Sequence, residues 1–436
     1  MTREIPAPVA QVEAYNYKCL QAICQPLERF QLLVGRNGSG KSTFLDTLLF
    51  LQTSLVSDVE TAVLGVSWES EWFVPRAMKD FRDMLFKGQG NTFTLAVVFN
   101  LPEQVQIAGG QKDLSRCRYQ VQIGVSEAES EEEEIQVLRE GLWLLPVSAS
   151  PNFGRPPSLP LDGFEDKTQQ SYLWQPERRT PLGWREVIRR QGRRAYLTAE
   201  NSNWQINQPM SPTKLTLSIL DEERFPAASW VAQFLQEDVL ALQLNPRRMR
   251  TPCPATASEN LDPDGANLPK VVDRFARKSP EQFRRWVRTV QGVSNDLQEV
   301  EVRRREEDNA LYLVLRYKDY EVKQWSVSEG TLRLLALTLL GYLPEKEPKL
   351  WIIEEPENGV HPQALEYIIQ SLATSSNAQF LIATHSPVVL GFKDYITPRT
   401  LLCFRQEGDA SRIQRGTDLI QEGELSLGRM LEWGML

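Results

Sequence analysis

Histidine is nearly absent from this 436-residue chain, which carries only His361 and His385. That scarcity excludes a His-rich metal centre and argues against a His-dependent metallonuclease. The five cysteines (Cys19, Cys24, Cys117, Cys253, Cys403) are scattered and odd in number, with no C-x-x-C pair. They imply reduced thiols in a cytosol rather than a disulfide framework. No apolar run approaches the roughly 20 residues that span a bilayer. Met1 to Pro6 lacks the apolar core of a signal peptide. A cytoplasmic protein with no membrane contact is expected. Positive charge is also lacking: the formal net charge of −8 gives no support for nonspecific nucleic-acid binding by the whole chain. There is no internal repeat and no sustained heptad, so a long coiled coil is excluded. What remains is an ordinary globular composition, 41% hydrophobic and 24% charged, long enough for two or three compact units or one core with a large insertion.

Against these absences stands one strong motif. Gly35-Arg36-Asn37-Gly38-Ser39-Gly40-Lys41-Ser42-Thr43 fits G-x-x-x-x-G-K-[ST], between the apolar run Phe30 to Val34 and an amphipathic stretch starting at Phe44. The glycines let backbone N–H groups turn inward on phosphate oxygens, with the positive end of a helix behind them. Lys41 then reaches the β- and γ-phosphates, and the Ser42 hydroxyl ligates Mg²⁺. ATP with Mg²⁺ is the expected ligand pair.

In chain order, residues 9–34 read as two strands, Val9 to Tyr17 and Phe30 to Val34, and a helix follows from Ser42 to about Leu55. Thr92 to Phe99 and Arg118 to Val125 read as an antiparallel pair. The run Glu127 to Glu134 holds six glutamates and reads as a solvated hairpin tip. Residues 146–182 are rich in Pro, Gly and Ser and read as an irregular excursion. Helical stretches such as Pro280 to Val290 occupy 183–300, with a Pro-rich loop at Asn245 to Pro254. Residues 171–300 hold 19 Lys/Arg against 15 Asp/Glu, with Trp174, Trp184, Trp204, Trp230 and Trp286 interleaved. So small an excess favours arginines solvating a helical face over a nucleic-acid surface. Leu297 to Arg303 and Leu311 to Tyr317 form a strand pair.

Three further motifs follow closely. Ser328-Glu329-Gly330 opens the apolar helix Leu332 to Tyr342 and offers a hydroxyl and free backbone N–H groups; alone it is an N-cap. Lys349 to Ile353 is a buried strand ending in Glu354-Glu355. One carboxylate of such a pair faces a metal and the next orients or deprotonates an attacking water. Asn358-Gly359-Val360-His361-Pro362 turns into a helix. Gln379 to Thr384 is another buried strand, ending at His385, whose imidazole can hydrogen-bond a γ-phosphate.

The ordered set resembles the ABC-type ATPase heads of the RecF/SMC group. Within it, the chain is similar to compact bacterial AAA-family ATPases related to the OLD proteins, many of them in anti-phage defence loci. Asp262-Pro263-Asp264-Gly265-Ala266-Asn267-Leu268-Pro269 and the ending Leu425-Ser426-Leu427-Gly428 share that likeness. It covers roughly 1–125 and 260–436. The resemblance implies Lys41, Ser42 and Thr43 on phosphates and Mg²⁺, Glu354 as metal-side carboxylate, Glu355 as general base and His385 as γ-phosphate sensor. Ser328 and Gly330 would act in trans on the nucleotide of a second subunit. One departure stands out, since the group usually has Asp at position 354. A second concerns the group's usual Gln between phosphate loop and helical lobe, for which Gln89 and, after it, Gln52 are candidates.

The fold expected is α/β, an ABC-ATPase head of P-loop NTPase type with an antiparallel β subdomain and an inserted helical lobe. The expected division is an N-terminal half-head at 1–125, an Arg/Trp-rich lobe at 126–296 and a C-terminal half-head at 297–436. OLD-type proteins continue into a Toprim nuclease, whereas only about 50 residues follow His385. The resemblance therefore implies a defence ATPase, a homodimer or higher oligomer, whose effector is a separate protein of nuclease or Toprim-like kind. The rival expectation is a RecF-like repair factor that binds DNA ends.

Overall fold

The computed structural model describes residues 6–65, 80–108, 113–126, 134–147, 180, 183–344 and 349–419. Strands β1 (Val9–Tyr17), β2 (Leu20–Pro26) and β3 (Phe30–Val34) come first, and the phosphate loop joins β3 to helix α1 (Lys41–Val56). Next are α2 (Val59–Leu64), β4 (Thr92–Asn100), α3 (Glu103–Ala108), β5 (Arg116–Ser126) and β6 (Glu134–Leu145). Then come β7 (Arg185–Gln191), β8 (Arg194–Thr198), β9 (Gln205–Pro209), α4 (Pro226–Gln233), β10 (Val239–Leu242) and α5 (Pro246–Met249). A helical stretch, α6 (Leu268–Lys278) and α7 (Pro280–Val293), leads into β11 (Leu297–Arg304), β12 (Leu311–Tyr317), β13 (Glu321–Lys323) and α8 (Glu329–Leu340). The chain then runs through β14 (Lys349–Glu354), α9 (Pro362–Ala373), β15 (Ala378–Thr384), β16 (Leu401–Glu407), β17 (Ala410–Arg415) and α10 (Gly416–Leu419).

A six-stranded sheet in the order β10-β14-β15-β3-β16-β17 is the centre of the molecule. Its first five strands are parallel, and β17 runs antiparallel at the edge. Parallel strands covered on both faces read as continuous apolar runs, as Leu350 to Ile353 and Phe380 to Ala383 do. Alternation still decides which way each side chain points. Leu33, Leu350, Ile352, Leu381, Ala383, Leu402 and Phe404 join one core, with the eight-stranded sheet and α1. Leu32, Val34, Trp351, Ile353, Phe380, Ile382 and Leu401 join the other, with α6, α7, α8 and α9. Helix α1 buries ten of its 16 residues because it lies in the first core, against strands from both sheets.

The eight-stranded antiparallel sheet runs β2-β1-β4-β5-β6-β7-β8-β9. Two expectations change here. A strand, β2, lies between the two read in residues 9–34; it is an edge strand with one neighbour, so its apolar pattern is broken. The boundary drawn at 125/126 also falls inside a continuous sheet, because β6 to β9 extend the surface begun by β1, β4 and β5. The helical lobe starts only with α4. The hairpin tip 127–133, Trp174, most of 146–182 and the ending from Leu425 lie outside the described residues.

Buried polar groups as well as apolar packing hold the elements together. Trp286 of α7 is fully buried, and its indole Nε1 donates to Thr338 Oγ1 of α8 at 2.9 Å. Between the two sheets, the buried Gln379 amide bonds Val9 N, Val9 O and Glu28 O at 3.0, 2.8 and 3.0 Å. A buried amide so satisfied fixes one orientation of the sheets, since breaking it strands several groups.

Candidate nucleotide site

The phosphate loop leaves the C-terminal end of β3 and closes at Gly40, which caps α1 in a left-handed conformation (φ 100°) with no side-chain cap bond. The first-turn N–H groups of α1 thus stay available to an anion. A side chain at Gly40 is strained by that φ and would collide with Ser411 of β17. Arg36, Asn37 and Gly38 are exposed at the loop tip, whereas Ser39 is buried and its hydroxyl has no hydrogen-bond partner among the described residues. Lys41 folds back, its Nζ donating to Gly35 O at 2.8 Å and Arg36 O at 3.0 Å. Burial lowers the Lys41 pKa, and the carboxylates of Glu354, Glu355 and Glu357 oppose that shift.

Topology delivers the acids. Strand β14 is separated from β3 by β15, so the ends of three parallel strands bring Glu354, His385 and the loop together, outside the carboxyl ends of the sheet where such ligands bind. Ser42 Oγ donates to Glu354 Oε2. Glu355 adopts φ 50°, a left-handed backbone that is strained for a non-glycine residue. Its Oε2 accepts from Asn358 Nδ2 at 2.5 Å, and its Oε1 lies 3.4 Å from His385 Nδ1. Glu357 stands behind them: its Oε1 accepts from Thr384 Oγ1 at 2.6 Å, while its Oε2 is buried without a hydrogen bond among the described residues. A cavity of about 290 Å³ is lined by Asn37 to Thr43, Cys19, Ala383, Glu354 and Glu355. Two hard oxygen donors in contact, Ser42 and Glu354, and an orphaned hydroxyl in the loop fit a Mg²⁺-bound phosphate.

Ser328 and Gly330 do not line this cavity. Ser328 caps α8, its Oγ accepting from Thr331 N at 3.1 Å. Gly330 lies against the turn after Glu355, where a Cβ would stand 2.7 Å from Gly359 O. The Ser-x-Gly motif therefore lies outside the cavity of the phosphate loop in the same chain.

Neither glutamine candidate reaches the cavity. Gln89 uses its carbonyl to accept from Asn16 Nδ2 at 3.0 Å, and its side chain is exposed. Gln52 is tied to Gln236 O and Val239 O at 3.2 and 2.8 Å, bracing α1 against the start of β10. Gln52 does line a second cavity of about 660 Å³ with Ser42, Thr43 and Glu354, and Gln243 lines it too. Gln243 follows β10, whose Leu242 pairs with Ile353 of β14. The 262–264 turn holds that segment, with Gln243 N donating to Pro263 O at 2.8 Å and Asn245 N to Asp264 O at 2.9 Å. The signal was there as the run Val239 to Leu242 ending on Gln243, hidden by its brevity and by the Pro-rich stretch behind it.

A parallel sheet with the phosphate loop, two carboxylates and a polar strand end at one edge defines a P-loop NTPase of the ABC-type ATPase class. The chain belongs to the family described as "AAA domain, putative AbiEii toxin, Type IV TA system", which matches residues 30–391. None of the curated proteins matches this sequence. Among solved structures the chain is similar to the Smc head bound to the C-winged helix domain of ScpA, at 12% identity and TM-score 0.49 over 98% of this chain and 99% of that one. It is also similar to the SMC head domain from Thermotoga maritima (12%, 0.43, 94% and 98%). A third is the Smc head with an extended coiled coil bound to the C-terminal domain of ScpA derived from Pyrococcus furiosus (12%, 0.44, 98% and 98%).

Proposed function

We propose that the chain binds and hydrolyses ATP, and that ATP closes two copies head to tail. One observation carries this reading: Lys41, Ser42, Glu354 and Glu355 line one cavity, with His385 3.4 Å from Glu355, while Ser328 and Gly330 do not line it. In this reading the loop N–H groups and Lys41 hold the phosphates, Lys41 exchanging its contacts with Gly35 O and Arg36 O for them. Ser42 and Glu354 would hold Mg²⁺, which neutralises phosphate charge when bound. Glu355 is the general base. Asn358 on one oxygen and His385 near the other orient the carboxylate toward water, and His385 reports the γ-phosphate. Gln243 bridges this site and the lobe. Ser328 and the α8 N-terminus complete the site of a second copy, so the ATP and ADP states differ in association.

The reading extends to a cytoplasmic switch that controls a separate effector in anti-phage defence. It draws on the motif resemblance and on a family description that names a toxin of a toxin–antitoxin system. Glu355→Gln, which keeps shape but removes the base, should accumulate as an ATP-bound dimer. Gel filtration with ATP checks this, and a variant no larger than the nucleotide-free protein refutes the sandwich.

A second reading, a factor acting on DNA, has one observation in its favour. Several arginines of the lobe are bound to acids, as Arg274 is to Glu259 and Arg277 to Asp273. Arg284, Arg285 and Arg288 are exposed on α7 and make no ion pair among the described residues. Turnover stimulated by bare duplex DNA favours this reading; turnover that depends on a second protein favours the switch.

A further inference from the structure

Gln324 is fully buried just ahead of the Ser-x-Gly helix. Its Nε2 donates to Met249 O and Thr251 O at 2.6 and 3.0 Å, and its Oε1 accepts from Leu313 N at 2.8 Å. This amide rivets the turn Gln324–Ser326 to β12 and to the end of α5. The next residue, Trp325, is consequently held in place with 45% of its surface exposed. Its ring leans on Tyr312, centroids 5.4 Å apart, and Lys323 Nζ sits 5.5 Å from its centroid. Lys323 forms no ion pair among the described residues, although Arg303 and Arg316 of the same sheet are bound to Glu301 and Glu321. A fixed, exposed indole beside an uncompensated cation is the make-up of an interface anchor: large contact area with little side-chain entropy left to lose. Trp325 is also close to Ser328, since three residue steps extend at most about 11 Å.

We propose that Trp325 and Lys323 anchor the nucleotide-bearing face of a second copy of this chain. The occupant follows from position and charge. The face that Ser328 meets under the proposed function carries Glu354 and Glu355 as well as the triphosphate, and Lys323 supplies the opposite sign. Trp325 buries against the rim of that face and excludes water around the pair, which strengthens it. This inference rests on the head-to-tail reading and adds to it the residues outside the Ser-x-Gly motif that hold the two copies together.

The test compares Glu355→Gln with Glu355→Gln/Trp325→Ala and Glu355→Gln/Lys323→Glu by sedimentation velocity in ATP. Both double variants should weaken dimerisation at least about tenfold, a loss of roughly 1.4 kcal/mol. Trp325→Phe in the same background should recover most of it, and ATP affinity of the dilute monomer should change less than about twofold. Double variants that dimerise as tightly as Glu355→Gln overturn the anchor and leave the head-to-tail reading standing. A Glu355→Gln protein that stays monomeric in ATP overturns both. Melting curves establish that each variant is folded, and the Lys323 variant carries the test should loss of the Trp325–Tyr312 contact disturb the turn.

Discussion

Gly330 sits where two backbones touch. A methyl group there would stand 2.7 Å from Gly359 O, and that oxygen belongs to the turn that also carries Asn358, the donor to Glu355. Gly330→Ala should therefore cost about 1–3 kcal/mol in stability and lower ATP turnover, because α8 and the 358–360 turn must separate. Thermal melting and a steady-state assay check both; unchanged values in both would show that the contact gives way freely. The residues of the candidate site were legible to different degrees. Lys41, Ser42, Glu354, Glu355 and His385 each end or follow an apolar run, so their positions at strand ends follow from pattern alone. Gln243 follows a strand of four residues, too short for periodicity to mark, and its place appears only when β10 is seen beside β14.

At the scale of elements, α4 starts with a buried acid supplied from outside the helix. Glu200 accepts from Ala227 N at 2.8 Å and Ala228 N at 2.9 Å, capping a helix whose own Phe225 cannot. Burial nonetheless pushes its pKa up to about 7, against the pull of those two bonds and of Arg185. The folded protein thus holds a proton that the unfolded chain releases at lower pH. The stability so gained is full below about pH 4.5 and is lost as pH rises through about 7, a span of roughly 3 kcal/mol. Melting temperature should fall between pH 5.5 and 8, and Glu200→Gln should reduce that slope; equal slopes would show that Glu200 is not its source. The sheet strands just before Glu200 were hidden by the same habit of burying charge. Residues 185–198 hold five arginines, which read as a solvated helical face. Arg190 is in fact wholly buried, its guanidinium donating to the carbonyls of Gly192, Ser211 and Lys214 beside Glu140. Arginine used to satisfy loop carbonyls inside a sheet leaves no hydrophobic alternation to read.

The whole molecule is two cores joined through one sheet. Because β3 lies between β15 and β16, the first nucleotide motif in the chain is completed by its last strands. A chain cut after residue 396 would lose β16 and β17, removing Phe404 from one core, Cys403 from the other, and Ser411 from beside Gly40. Such a truncation should fail to bind ATP and should lack the cooperative melt of the full chain. Equilibrium dialysis and calorimetry check this, and retained ATP binding would mean that the loop is organised by β15 alone. The class of fold was legible because the strand-end motifs fall in a fixed order. The extent of the antiparallel sheet was not, since its later strands join the earlier ones through the β5–β6 pairing alone and end on an exposed edge.

Phe30 pairs with Phe380, and that single register has a bearing on how the protein is made. During synthesis, at about 5–20 residues per second, the phosphate loop leaves the ribosome long before any strand exists to flank β3. Loop closure over such a separation is slow and leaves apolar strands waiting. The antiparallel sheet, built from neighbours in sequence, can form meanwhile as a shelter for α1. A nascent chain should thus be unable to bind nucleotide until β15 and β16 have been made.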